Sequence, residues 1–307
     1  MAQVYGIIGS LSQVLYELKR NNITFLNSLD DIFSFENDFE NHLVKIGEET
    51  SKKVLAQREE LRQKIADLHT EYDSAISHNI FLTLFSVYRR YSLRKMKQKL
   101  DYMEKYIDTI IEDRTKSESQ LFRMAKLIIE ANKTTLIGAT GEQKALNELK
   151  KLPDSFHIIN DFKYEFSRWL HIRSSDEWIR SIQADHIVIG PTGVFVIETK
   201  NWNSNSIQNI DLYSPVEQIK RTNYALFRLL NRSVEHNLLS SFSHHWGSRK
   251  ISVNSIILMV NKKPNQEFQY VKILSLNNLC GYITFSKPIL TSREAQEIAD
   301  FLLQRSR

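Results

Sequence analysis

Ile182-Gln183-Ala184-Asp185-His186-Ile187-Val188-Ile189-Gly190-Pro191-Thr192-Gly193-Val194-Phe195-Val196-Ile197-Glu198-Thr199-Lys200-Asn201-Trp202 is the stretch around which the rest of the chain is arranged. Two apolar runs, Ile187–Ile189 and Val194–Ile197, flank Gly-Pro-Thr-Gly. Runs rich in β-branched residues and bounded by glycine and proline predict a hairpin of buried strands. Period-two alternation puts Glu198 and Lys200 on one face of their strand. A turn near residues 190–193 then brings Asp185 back beside them.

Outward from the hairpin, the pattern is mixed. Gly138-Ala139-Thr140-Gly141-Glu142 leads into a helix through Ala145, Leu146 and Leu149, stopped by Pro153. Phe156–Ile159 reads as a short strand, and 163–181, with Trp169 and Trp178, as a long polar and aromatic loop. After the hairpin come a polar loop over 201–211 and a helix starting at Pro215. Strands follow over Ile251–Val260 and Tyr270–Leu274, then a turn of helix from Ser275. A last amphipathic helix is capped by Thr291 or Ser292, with Glu294 in its first turn. Helix, strands, helix, strands and helix in that order predict an α/β sandwich.

Upstream the chain changes character. Residues 1–133 contain no proline, and no glycine lies between Gly47 and Gly138, so long helices are expected. Leu93, Met96, Leu100, Met103, Ile107 and Ile110 alternate by three and four, as do Leu61, Ile65, Leu68 and Tyr72, which is coiled-coil spacing. The polar break Ser74–Asn79 suits an antiparallel helical hairpin turning near 74–80; one continuous rod is the rival. Phe25, Leu26, Leu29, Ile32, Phe33, Phe35 and Phe39 cap this coiled coil or form a dimer contact. Arg89–Lys99 carries six basic residues and no acid, and reads either as an anion-binding face or as a solvated face opposite the acidic Glu48–Glu71 stretch.

At 307 residues the chain has room for two domains, expected as a helical region over 1–133 and a second domain over 134–307. The composition, 42% apolar and 25% charged, is that of a globular protein. The net charge of +5 lies wholly in 134–307, because 1–133 holds 20 basic and 20 acidic residues. A basic domain suits a polyanionic substrate. A single cysteine, Cys280, excludes an intrachain disulfide framework. Met1–Leu18 lacks the basic start of a secretory signal, and Ile80–Tyr88 is too short to span a bilayer, so a cytoplasmic protein without membrane contact is expected.

Two carboxylates and a lysine at one end of a sheet are suited to phosphodiester hydrolysis. That reaction needs an activated water, and charge stabilisation on the phosphate and on the leaving oxygen, all within reach of Mg²⁺ or Mn²⁺. Such ions take hard oxygen ligands. Asp185, Glu198 and the Thr199 carbonyl are candidate ligands, with Glu142 as an addition and Lys200 as the polarising cation. The plainer alternative is a strand-end aspartate beside a Glu198–Lys200 salt bridge, although an unpaired carboxylate after four apolar residues would be costly. His186 faces away from Asp185 on a regular strand and reads as structural. Trp202, Lys220 and Arg221 are weaker candidates for contact with nucleic acid, and His244-His245-Trp246 reads as loop.

Gly138-x-x-Gly141-Glu142, Ala184–Gly190, Gly193–Asn201 and Pro215-x-x-Gln218 together resemble the successive blocks of the NERD (nuclease-related) domain, over roughly residues 134–285. The resemblance implies a PD-(D/E)xK restriction-endonuclease-like core, a central mixed sheet flanked by helices, here preceded by an all-α coiled-coil region. It gives Asp185 the aspartate role, Glu198 and Lys200 the (D/E)xK roles, Glu142 the helix-borne glutamate, and Gln218 a place facing the site. The family usually has a glycine soon after the lysine, where this chain reads Asn201-Trp202-Asn203-Ser204-Asn205-Ser206. The expected activity is Mg²⁺- or Mn²⁺-dependent endonucleolytic cleavage of DNA, with RNA as a further substrate class, possible defence against foreign DNA as its setting, and homo-oligomers or a protein partner joined through the N-terminal helices. The alternatives are an RNase, or an inactive nucleic-acid-binding or scaffold protein.

Overall fold

The 182–202 stretch folds as expected into the centre of a six-stranded mixed sheet in the computed structural model, which describes residues 1–76, 83–173, 176–202, 213–236, 239, 242, 249–264 and 266–306. Its strands are β1 (Gln3–Tyr5), β2 (His157–Ile172), β3 (Glu177–Gly190), β4 (Gly193–Lys200), β5 (Val253–Met259) and β6 (Val271–Ser275), in spatial order β1 to β6. β2, β3 and β4 are antiparallel, whereas β1 runs parallel to β2, and β5 and β6 continue parallel from β4. The β3–β4 turn is tight because Gly193 takes φ 130, a backbone conformation that side chains disfavour. The Pro191 carbonyl accepts from Ile289 N and Leu290 N at 2.8 and 3.0 Å, which ties the turn down. The register pairs His186 with Ile197, so Asp185 comes opposite Glu198.

Alternation then sorts the two faces. Ile187, Ile189, Val194, Val196, Ile257 and Met259 join one buried cluster with α7 (Tyr213–Glu235) and α9 (Ser292–Leu303). Val188, Phe195, Ile197, Ile256 and Leu258 are buried on the other face, where α6 (Lys133–Leu149) and α8 (Leu276–Phe285) pack. The layered α/β arrangement agrees with the expected fold class.

Two expectations are corrected. Residues 163–181 are not a loop: β2 and β3 continue as one long hairpin, with a register shift between Glu165 and Leu170. It is held both by cross-strand pairs and by apolar residues turned into the core. His171 stacks on Trp178 at 4.5 Å, Arg180 donates to Glu165 at 2.9 Å, and Ile172, Ile179 and Ile182 turn inward. Nor is 1–133 a single helical region. Met1–Glu17 belongs to one compact unit with Ala131–Arg307, and Leu18–Glu130 forms the other. β1 has no pattern of its own to reveal it, because its partner on β2 lies about 150 residues away.

Within the 18–130 unit, α2 (Leu29–Ile76) runs antiparallel to α3 (Thr83–Lys105) and α4 (Ile107–Glu118). The pairs show the direction: Arg89 lies 3.7 Å from Glu71, Arg62 bonds Glu104, Arg114 donates to Gln57, and Thr50 donates to Glu118. The turn between α2 and α3 lies outside the described residues, as do most of the loop after residue 202 and His244–Trp246. α5 (Gln120–Ala131) follows, and Phe25, Phe35, Phe39 and Phe122 cluster with His42 inside this unit. Among the described residues, no helix is long and apolar enough to cross a membrane.

Two consequences are measurable. A Cβ added at Gly141 would lie 2.7 Å from the Asn201 Cβ, so Gly141→Ala should cost about 1–3 kcal/mol in urea unfolding. An unchanged midpoint would mean that α6 yields freely there. The second concerns the α9 capping box, where Thr291 accepts from Glu294 N and the Glu294 carboxylate accepts from Thr291 N at 2.7 Å. Burial pushes the Glu294 carboxyl up, but bonds from Thr291 and Arg249 outweigh it and hold the group below its ordinary value. That stabilisation is present at neutral pH and lost as pH falls through the folded value. Glu294→Gln should therefore cost about 1 kcal/mol at pH 7, and the deficit should shrink below the ordinary carboxylate range. A pH-independent deficit would show that the charge is not what matters.

Candidate active site

The end of the β4 ladder sets three side chains by alternation alone. Glu198 and Lys200 share a face, and the Lys200 ammonium donates to Glu198 Oε1 at 2.7 Å. Asp185 Oδ2 accepts from the Thr199 amide at 2.7 Å. That bond fixes the Asp185 carboxylate against β4. Glu198 is buried, whereas Asp185 and Lys200 are partly open.

Glu142 arrives on α6. Gly138, Gly141 and Glu142 lie on one side of that helix by their spacing of three and four. Gly141 lets the segment after β4 come close, and Asn201 fastens it: its Nδ2 donates to the Ile137 carbonyl at 2.7 Å, and its Oδ1 accepts from Asn261 at 2.9 Å. Gly138 faces Ser10 on α1 (Gly9–Arg20). Ser10 donates twice to Glu142, from its amide to Oε2 at 3.3 Å and from its hydroxyl to Oε1.

Electrostatics set this group apart. Burial, then the charges of Glu198 and Glu142, push the Asp185 carboxyl well above the ordinary range, against the pull of the Thr199 amide and Lys200. Burial also raises Glu142, with a smaller push from Asp161, while the Ser10 bonds pull it down. One lysine does not balance three carboxylates. Among the described residues, no three His, Cys, Asp or Glu side chains already converge as a metal cluster. The donors still suit Mg²⁺ or Mn²⁺: they are hard oxygens, and Asp185 Oδ1 and Glu198 Oε2 take no hydrogen bond among the described residues.

A cleft of about 430 Å³ opens on Asp185 and Glu142 and is walled by Ser10, Gln13, Tyr16, Lys163 and Gln183. Lys163 donates to Asp161 Oδ2 at 2.6 Å and Gln183 to its Oδ1 at 2.8 Å. These wall residues escaped the sequence reading. Lys163 fell at the start of the supposed loop and Asp161 between it and the expected Phe156–Ile159 strand, and nothing in the sequence links Ser10 to Glu142.

The remaining candidates stand apart from the cleft. Gln218 is exposed on α7 and does not line it. Trp202 packs against the buried cluster, and Arg221 pairs with Glu177 at 3.2 Å, so packing and ion pairing account for both. Lys220 is exposed on α7. His186 faces away from Asp185, as expected. It is fully buried with Nδ1 2.8 Å from Asn160 Oδ1, and burial lowers it to about 4, so it is a neutral structural histidine.

Residues 137–259 match the NERD family model, the nuclease-related domain. No curated protein matches the chain. Among solved structures, the small subunit of a heterodimeric restriction endonuclease is similar at 14% identity, over 55% of this chain and 90% of that one, with a TM-score of 0.22. Glu142, Asp185, Glu198, Lys200 and Gln218 all fall inside this match, so the residues that build the candidate site lie in a nuclease-related domain at 137–259.

Proposed function

We propose that the protein is a metal-dependent endonuclease that cleaves DNA in the cytoplasm. The observation that carries this reading is Asp185: a carboxylate set opposite Glu198, near Glu142, and pushed up by burial and by both neighbours. Such a concentration of negative charge is unfavourable by itself and is relieved by a divalent cation. Asp185, Glu198 and the Thr199 carbonyl would hold Mg²⁺ or Mn²⁺, with Glu142 adding a carboxylate. The ion supplies Lewis acidity to a phosphate oxygen.

The chain's own residues do the rest. Lys200, steadied by Glu198, presents an ammonium to the phosphate or to the attacking water, where it stabilises developing negative charge. The Thr199 amide keeps Asp185 aimed. The basic excess of 134–307 favours phosphate contacts, so binding should weaken as salt rises. One observation favours a second reading, a nucleic-acid-binding protein without catalysis: no three ligand side chains converge among the described residues.

Cleavage of plasmid DNA and of RNA, with Mg²⁺ and with Mn²⁺, separates these readings. The wild type should cut DNA, and Asp185→Ala and Lys200→Ala should each lower the rate by about 100-fold or more. Binding without cleavage in either metal would establish the second reading; cleavage of RNA alone would make the enzyme an RNase. Asp185→Asn supplies a check on the electrostatics. A carboxyl raised in the folded state destabilises the fold once ionised, so this variant should unfold later than wild type at neutral pH without metal. A lower midpoint would contradict the charge-repulsion account.

We further infer that two copies associate through the helical unit. Leu121, Met124 and Leu127 are exposed along α5, an apolar stripe at helical spacing. Sedimentation should give a dimer mass, and Leu121→Glu with Leu127→Glu should reduce it to the monomer. A wild-type monomer at micromolar concentration would remove the inference.

A further inference from the structure

We infer that Met1–Glu17, which lies outside the matched nuclease-related segment, is a working part of the nuclease site, with Ser10 as a positioning residue for Glu142. This inference rests on the nuclease reading above. β1 fixes the segment to the sheet: Gln3 N donates to the Phe156 carbonyl at 2.9 Å, and Asn160 Nδ2 to the Gly6 carbonyl at 3.1 Å. The chain then turns at Gly6, φ 74, and enters α1. A Cβ at Gly9 would sit 2.6 Å from Asp161 Oδ1, so the glycine leaves room for the Asp161 carboxylate against the start of α1. On its other side, Ser10 meets the Gly138 face of α6.

The outcome of this fit is that both oxygens of Glu142 are held by one residue. The Ser10 amide takes Oε2 and its hydroxyl takes Oε1. Two bonds to a carboxylate fix its rotation as well as its place. Groups that orient a metal-ligating side chain in this way are worth about 10–100-fold in metal affinity or activity. The same helix carries Gln13 and Tyr16 to the cleft wall, facing Lys163 and Gln183. Tyr16 is 67% exposed, an aromatic face open to a base. Ser10 therefore acts on the carboxylate, and Tyr16 on the substrate.

The test uses the full chain and two readouts, Mn²⁺ binding by calorimetry and plasmid cleavage kinetics, with circular dichroism to confirm folding. Ser10→Ala should weaken Mn²⁺ binding about tenfold and lower kcat with little change in KM. Ser10→Thr, which keeps the hydroxyl, should restore both. Should the alanine variant unfold, Ser10→Cys, close in size with a weaker donor, reads the same effect. Tyr16→Ala should raise KM and leave Mn²⁺ affinity as in the wild type. Wild-type Mn²⁺ affinity and kcat in folded Ser10→Ala, while Lys200→Ala is inactive, would overturn the positioning role and leave the nuclease reading standing. No cleavage by the wild type, with Mn²⁺ binding insensitive to Asp185→Ala, would overturn both.

Discussion

The bond from the Thr199 amide to Asp185 Oδ2 is the constraint to which the site answers. It joins β3 to β4 where their register sets Asp185 opposite Glu198, and so holds two carboxylates side by side in a mostly buried place. Sheet geometry alone would produce that juxtaposition in any hairpin of this register. Its electrostatic cost is what needs an answer, since a buried carboxylate wants a partner and two of them repel. Lys200 answers for Glu198, and the backbone amide answers in part for Asp185. The remaining imbalance is visible as the raised Asp185 carboxyl.

The third carboxylate shows how the remote parts of the chain are recruited. Glu142 sits on a helix whose glycines remove the side chains that would hold α1 and the post-β4 segment away. Gly141 gives room to Asn201, which then clips the helix by its Ile137 carbonyl. Gly138 gives room to Ser10, which takes both carboxylate oxygens. The glycine pair therefore acts as a packing surface, and the glutamate that follows is delivered by it. A side chain at Gly141 would press on the Asn201 Cβ, and one at Gly138 on the Ser10 hydroxyl that holds Glu142.

How much of this was readable from the residues depends on the range of each interaction. The hairpin was, because β-branched runs and a Gly-Pro-Thr-Gly turn are local signals and a period of two assigns the faces. The start of α9 was in part, as a helix capped by Thr291 or Ser292 with Glu294 in its first turn; the structure chooses Thr291 and closes the box. The long β2–β3 hairpin was not: its pairs, such as His171 with Trp178, become meaningful only once the strands are aligned, and as a string they read as polar and irregular. β1 and Ser10 were beyond reach, since each is defined by a partner more than 130 residues away in sequence. The candidate ligands were found through the hairpin and a family resemblance; the wall of the cleft had neither.

The charge pattern separates by the same logic. In the helical unit, basic and acidic residues are equal in number, and several of them meet across the antiparallel helices: Arg62 with Glu104, Lys53 with Glu118, Arg89 with Glu71. Exposed pairs of this kind contribute little to stability, about 0–1 kcal/mol each, but they disfavour alignments that bring like charges together. Their weight is therefore in setting which helix lies against which and in what direction. The basic excess belongs to the other unit, where Lys163 and Lys200 stand at or beside a cleft that holds more carboxylates than cations. A phosphate entering that cleft would be repelled by Asp185 and Glu142 unless a cation came with it. On the proposed nuclease reading, the same unbalanced charge that would draw in a divalent ion would hold off the polyanion until the ion is there.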